Sequence, residues 1–210
     1  MAEEMNAGAK REIRHVVAPE RMPRLTPEQM TEAQKKAAAA LEAGPRGKVQ
    51  GPYISILRSP GFMEHTQKLG AYVRFDCPLD MRIREMAALM GARHWTQQFE
   101  WFVHVPHALK SGLSQAIIDA IRDGRRPQHM ARDEEVVYDV MIELLNNHGV
   151  SDVTYQRALE EFGEAGIVDL VGTSGYYIMI GMIMNVARTA IPDGKPLPLA
   201  PLADQVQTIS

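Results

Sequence analysis

The 18 residues Leu170 to Ala187, LVGTSGYYIMIGMIMNVA, carry no formal charge. A run of that length exceeds an ordinary strand and suits a helix, and a helix apolar on most sides must be covered by other helices or by lipid. Polar and small residues (Gly172, Thr173, Ser174, Gly175, Gly181, Asn185) interrupt it, Asp169 and Arg188 bracket it, and the chain has no second run of the kind. These features favour a fully buried core helix over a membrane span. Its glycines and methionines suit close packing on another helix or subunit, so a homo-oligomer is expected.

The rest of the chain is punctuated as helices are. Thr26-Pro27-Glu28-Gln29 opens a helix whose alanine-rich body runs to Ala43 and stops at Gly44-Pro45. Residues 44–52 read as a loop. Ser59-Pro60 opens a second helix through Tyr72, broken by Asp76-Cys77-Pro78. Leu79, Ile83, Met86, Ala87 and Met90 keep helical period to His94, and Thr96 is placed to cap a helix from Gln97 to Lys110 that Gly112 ends. Pro106 inside that helix predicts a bend near His104. Ser114 caps a short helix to Arg122, and Glu134–Asn147, Val153–Glu161 and Ile167–Thr189 complete the set. No alternating run of strand length occurs, so the expected fold is all-α, one helical domain over residues 25–190. A flexible arm (1–24) precedes it and a proline-rich extended tail (191–210) follows.

Lys plus Arg number 23 against 26 Asp plus Glu, a formal charge of -3, and no basic patch interleaved with aromatics stands out. Nucleic acid is therefore not an expected partner. The first fifteen residues are polar and acidic where a signal peptide needs a basic end and an apolar run, so a cytoplasmic protein with no membrane contact is expected. Cys77 is the single cysteine, which excludes an intrachain disulfide, a C-x-x-C redox pair and a cysteine metal cluster.

Chemistry-bearing residues concentrate on two helices. Glu85 has Met81, Ala88 and Leu89 as its helical neighbours, an apolar strip on which burial raises a carboxyl pKa and makes a proton donor or acceptor near neutrality. The alternative is an ion pair with Arg82, Arg84 or Arg93. On the next helix Gln97, Glu100, His104 and His107, with Trp101 beside them, lie opposite Phe99, Phe102, Val103, Pro106 and Leu109. By spacing alone such a stripe reads as a solvated face. Glu100, His104 and His107 are also of zinc- or iron-ligand type, but Pro106 disturbs their register and no second ligand pair accompanies them. Tyr176 and Tyr177 present phenols that either bind a ligand or pack the core. Nucleophile-elbow, phosphate-loop and dinucleotide motifs are absent.

Glu85, eleven residues, Gln97, two residues, Glu100, three residues and His104 together resemble the signature of the carboxymuconolactone decarboxylase and alkyl hydroperoxidase-D superfamily. The continuation E-x-x-x-H-x-x-x-A-L-x-x-G-L-S, from Glu100 to Ser114, is similar to its cysteine-less decarboxylase branch, as are RMPRL at 21–25, ILRSP at 56–60 and GYY at 175–177. The resemblance covers most of residues 21–195. It implies an all-helical bundle of the alkyl hydroperoxidase-D-like type, assembled as a dimer, trimer or hexamer, with active sites between helices near subunit contacts. It further implies that Glu85, Glu100 and His104 converge on a pocket as catalytic residues, without cofactor or metal. Peroxidase chemistry needs a reactive thiolate and a resolving thiol, and Gln97 and Glu100 stand where that branch has its cysteines. The expected reaction is decarboxylation of a small carboxylated lactone, with isomerisation, lactone hydrolysis or a non-catalytic role as alternatives. Glu85 or His104 would be the acid and Glu100 would hold the His104 tautomer. Arg58 and Arg93 are candidate carboxylate binders. Gln97, Trp101, His107 and Tyr177 are further substrate-binding candidates.

Overall fold

A computed structural model describes residues 11–12, 19–192, 195–200 and 208–209. Most of the expected arm (1–10 and 13–18) and parts of the tail (193–194, 201–207 and 210) lie outside the described residues. The fold is all-helical: α1 (Glu32–Glu42), α2 (Pro52–Ile56), α3 (Pro60–Ala71), α4 (Met81–His94), α5 (Gln98–Lys110), α6 (Gln115–Arg122), α7 (Arg132–Asn147) and α8 (Asp152–Ala187). A two-residue antiparallel pairing of Arg11–Glu12 with Thr208–Ile209 is the sole strand pairing among the described residues.

Helix α4 is the axis. Nine of its fourteen residues are buried, among them the small Ala87, Ala88, Gly91 and Ala92, which let neighbouring helices approach closely. A Cβ on Gly91 would lie 3.2 Å from Ile178 of α8. α4 packs on α5, α6, α7 and α8. Its one side joins a core of Ile83, Met86, Leu89, Val137, Met141 and Leu170, and Ala88 joins a second core with Leu41, Tyr53, Leu57, Met63, Tyr176 and Ile180. Each cluster removes well over a handful of large apolar side chains from water, at roughly 1.5–3 kcal/mol apiece before chain entropy is counted.

Several local expectations need correction. The first helix start is double: Pro27–Gln29 forms one 3-10 turn, Met30 is extended, and Thr31 with Gln34 builds the capping box that opens α1. α3 ends in a π-helical turn over Tyr72–Asp76, and the short α2 follows directly from the loop read over 44–52. Gln97, not Thr96, caps α5, because its side chain accepts from the Glu100 backbone N–H. Thr96 instead takes a left-handed φ of 46°, a costly conformation for a β-branched residue, held by Thr96 N–H to Arg93 O and Gln97 N–H to Ala92 O. The last two helices run together as α8, with Gly163 (φ 66°) as a non-helical joint.

The uncharged part of α8 is not fully buried. Leu170, Thr173, Ser174, Tyr176, Tyr177, Ile180, Gly181, Met184 and Ala187 face the core, whereas Val171, Met182 and Val186 (56% exposed) face outward. By length and composition α8 is able to cross a membrane, but a core helix passes the same test and its inward face is compatible with a soluble protein. At the end of the chain, Leu199 is buried and pairs both ways with the Gln98 amide, and Arg93 donates to Ala200 O.

Candidate active site

Helices α4 and α5 are joined by the tight Trp95–Thr96 turn, so their facing sides are in register. That brings Glu85 of α4 against His104 of α5, with Nδ1 2.7 Å from Glu85 Oε2. On the other edge of the ring, Nε2 lies 3.0 Å from Glu100 Oε2, one helical turn back. The two contacts differ in kind. The Glu85 contact is a well-formed hydrogen bond, whereas Glu100 Oε2, with no other partner among the described residues, meets the ring as an ion pair of poorer hydrogen-bond geometry.

All three groups are withdrawn from water: side-chain exposure is 5% for His104, 4% for Glu100 and 13% for Glu85. Burial alone disfavours the imidazolium, but Glu100 and Glu85 together outweigh it and push His104 up to about 9. His104 is therefore a cation at neutral pH. Glu100 sits in the first turn of α5, where the helix N-terminus favours an anion, and the Gln97 cap fixes that turn. Gln97 is further tied to Asn185 of α8 at 3.4 Å, and Asn185 to Trp95 O at 2.9 Å.

Glu100 and His104 form one wall of a cavity of about 50 Å³. That is room for a few water-sized groups at about 10–15 Å³ each. Phe99, Val103, Pro52 and Ile180 make its apolar surface, Tyr176 and Tyr177 bring phenols from α8, and Arg46 and Arg74 bring guanidinium groups. Tyr177 stacks edge-on against the His104 ring at 4.6 Å. Burial, reinforced by Glu85 and Glu100, raises the Tyr177 pKa and keeps the phenol neutral. Tyr176 is likewise raised by burial, and its hydroxyl meets that of Tyr53 at 2.9 Å.

The structure separates the other candidates. Glu85 is paired with a histidine, not an arginine: Arg82 binds Asp133 and Glu134, Arg84 donates to Val73 O and Arg74 O, and Arg93 holds Ala200 O. Arg58 donates to Ile54 O and Pro23 O and, like Arg93, does not line the cavity. Trp101 belongs to the hydrophobic core. His107 lies beside the cavity wall, its Nε2 3.4 Å from an Arg74 nitrogen. Among the described residues no cluster of three or more His, Cys, Asp or Glu has metal-holding geometry. In the Glu100–His104–His107 set, both His104 nitrogens are turned to carboxylates and His107 Nε2 to a guanidinium.

Spacing alone did not reveal Arg46 and Arg74. Arg46 lies in a Gly-Pro-Arg-Gly turn and Arg74 in the π-helical turn after α3, and neither belongs to a periodic pattern. A bulged turn flanked by Pro78 is a type of position often found at functional sites, but sequence gives it no signature. No family model matches the chain, and no curated protein is significantly similar to it.

Proposed function

We propose that the chain is an acid–base enzyme acting on a small carboxylic acid, with decarboxylation of a carboxylated lactone as its reaction. We also propose that it belongs to the cysteine-less carboxymuconolactone decarboxylase-like proteins, with their bundle, homo-oligomeric assembly and cytoplasmic location. One observation carries the catalytic reading: a histidine held between two buried carboxylates, one of which, Glu100, lines a cavity together with the imidazole. A buried imidazole whose pKa is raised by two carboxylates at a cavity wall is placed to exchange a proton with a ligand.

The reaction follows from those positions. The bond from the lactone to its departing carboxylate breaks, carbon dioxide leaves, and the electron pair passes into the unsaturated lactone as an enolate. His104 gives that enolate a proton, directly or through Glu100, and solvent returns the proton to the imidazole. Glu85, hydrogen-bonded to Nδ1, fixes the ring and its tautomer. The roles expected for the two carboxylates are thus exchanged: Glu85 positions the imidazole and Glu100 meets the substrate. The Phe99, Val103 and Ile180 surface withholds water from the departing carboxylate, whose charge disperses as the bond breaks. The neutral Tyr177 phenol is the donor available to the enolate oxygen.

The test follows consumption of γ-carboxymuconolactone by purified protein beside His104→Ala, Glu85→Gln and Glu100→Gln. Turnover in the wild type, and its loss in His104→Ala with Glu85→Gln and Glu100→Gln strongly reduced, supports the reading. Folded wild type that leaves the lactone intact removes that substrate, and the same trio is then assayed for isomerisation and lactone hydrolysis.

A further inference from the structure

Most arginines of the chain are committed to the protein itself. Arg82, Arg122, Arg125, Arg126, Arg132 and Arg157 pair with carboxylates, and Arg58, Arg84 and Arg93 donate to backbone carbonyls. Arg46 and Arg74 are different. Neither has a carboxylate partner among the described residues, and both line the cavity. Two guanidinium groups without a carboxylate partner thus line one cavity together with the Glu100 carboxylate. The latter belongs to a side chain that is only 4% exposed.

Both guanidinium groups are held in place without being neutralised. Arg46 stacks over the Tyr53 ring at 4.8 Å, a contact that orients a cation and leaves its edge N–H groups unused. Gly70 makes this possible: a Cβ there would come within 2.7 Å of an Arg46 nitrogen and 2.2 Å of the Tyr176 hydroxyl. Arg74 donates to His107 Nε2. Burial first, then Arg74 and His104, lowers the His107 pKa against the pull of Glu85, so this ring stays neutral and can accept. His107 is thus a positioning residue for Arg74.

We infer that Arg46 and Arg74 form the carboxylate-binding end of the cavity. The ligand class is a small organic acid that keeps the carboxylate they grip and turns its reacting end toward Glu100 and His104. Guanidinium suits this task because its fork meets two carboxylate oxygens at once. A carboxylate gripped this way is stabilised and is not the one that departs, so a decarboxylation substrate carries two carboxylates, one anchored and one against the apolar wall. This inference rests on the acid–base reading of the same cavity, but its test needs no turnover.

Propionate, which has no group to react, is titrated against propionamide of nearly the same shape at fixed ionic strength, with saturation-transfer NMR as the readout. Saturable propionate binding is expected, at least about tenfold tighter than propionamide, with a loss of about tenfold or more in Arg46→Gln and in Arg74→Gln. Arg125→Gln, a change at an exposed arginine, leaves it unaltered. His107→Phe weakens binding and His107→Gln restores it, because an amide oxygen accepts the same Arg74 bond. If Arg46→Gln fails to fold for want of its Tyr53 stack, Arg74→Gln decides alone. Equal binding of propionate and propionamide, or undiminished binding in Arg74→Gln, overturns the assignment. Propionate binding without lactone turnover leaves the anchor standing and removes only the reaction.

Discussion

Two charge clusters grow from the same helix three residues apart, and they are built to opposite ends. Arg82 reaches Asp133 and Glu134 at the start of α7, where Glu134 also accepts from Ala131 N–H and Asp133 from Glu134 N–H, so the cluster ties α4 to α7 and caps that helix. Glu85 reaches His104, whose other side pairs with Glu100 at the wall of a cavity. The first cluster uses its charges to fix two elements of the fold. The second sets its charges at the wall of a cavity, where a ligand can enter. Each sets one cation between two carboxylates, but the His104 group is the more deeply buried and has a cavity beside it, which is what separates chemistry from structure.

The difference is open to attack at both clusters. The largest expected effect is on turnover: removing the His104 imidazole lowers the rate by about 10²–10⁴-fold if it is the general acid. The corresponding change at the other cluster, Arg82→Ala, is expected to cost about 2–3 kcal/mol of stability in urea unfolding, because it strands two carboxylates, while turnover per folded molecule stays near the wild-type value. Loss of turnover in folded Arg82→Ala would erase the distinction.

A smaller effect separates the clusters by pH. His104 rises from an ordinary 6.5 to about 9 in the folded chain. A raised cationic pKa gives stability that is complete below about 6.5 and is lost as pH climbs through about 9. The melting temperature of the wild type should therefore fall between those values, and that part of the fall should vanish in His104→Gln. Arg82→Ala should keep it.

The smallest effects sharpen the packing around the site. Gly70→Ala places a methyl against Tyr176 and Arg46 and is expected to destabilise by about 1–3 kcal/mol and to weaken propionate binding. Gly172→Ala, in open space on the outer face of α8, is expected to stabilise an isolated chain by about 0.5–1 kcal/mol through helix propensity. Destabilisation there, seen as dissociation in sedimentation, would place Gly172 in a subunit contact.

Much of this arrangement was legible before the structure. The Ser114 and Gly112 boundaries, the helical period of α4 and the convergence of Glu85, Glu100 and His104 all follow from local chemistry or from the spacing of the resemblance. What was not legible depends on tertiary packing. Nothing local marks the π-helical turn that carries Arg74, and no spacing links Arg46, Arg74 and Glu100 across a cavity. Arg58 and Arg93 read as carboxylate binders because sequence does not show the backbone acceptors that hold them, and Arg46 was not singled out. The run Leu170 to Ala187 was read as buried on all sides because hydropathy does not record that Val171, Met182 and Val186 face outward.

The most direct test is a titration of the His104 imidazole by NMR on ¹⁵N-histidine-labelled protein, assigned by comparison with His104→Gln. His104 is expected to remain an imidazolium through pH 8 and to titrate near 9, and Glu85→Gln should move it downward. An imidazole that titrates at 6.5 or below in the wild type would be neutral at working pH. The chain would then have no proton store between Glu85 and Glu100, contradicting the proposed chemistry.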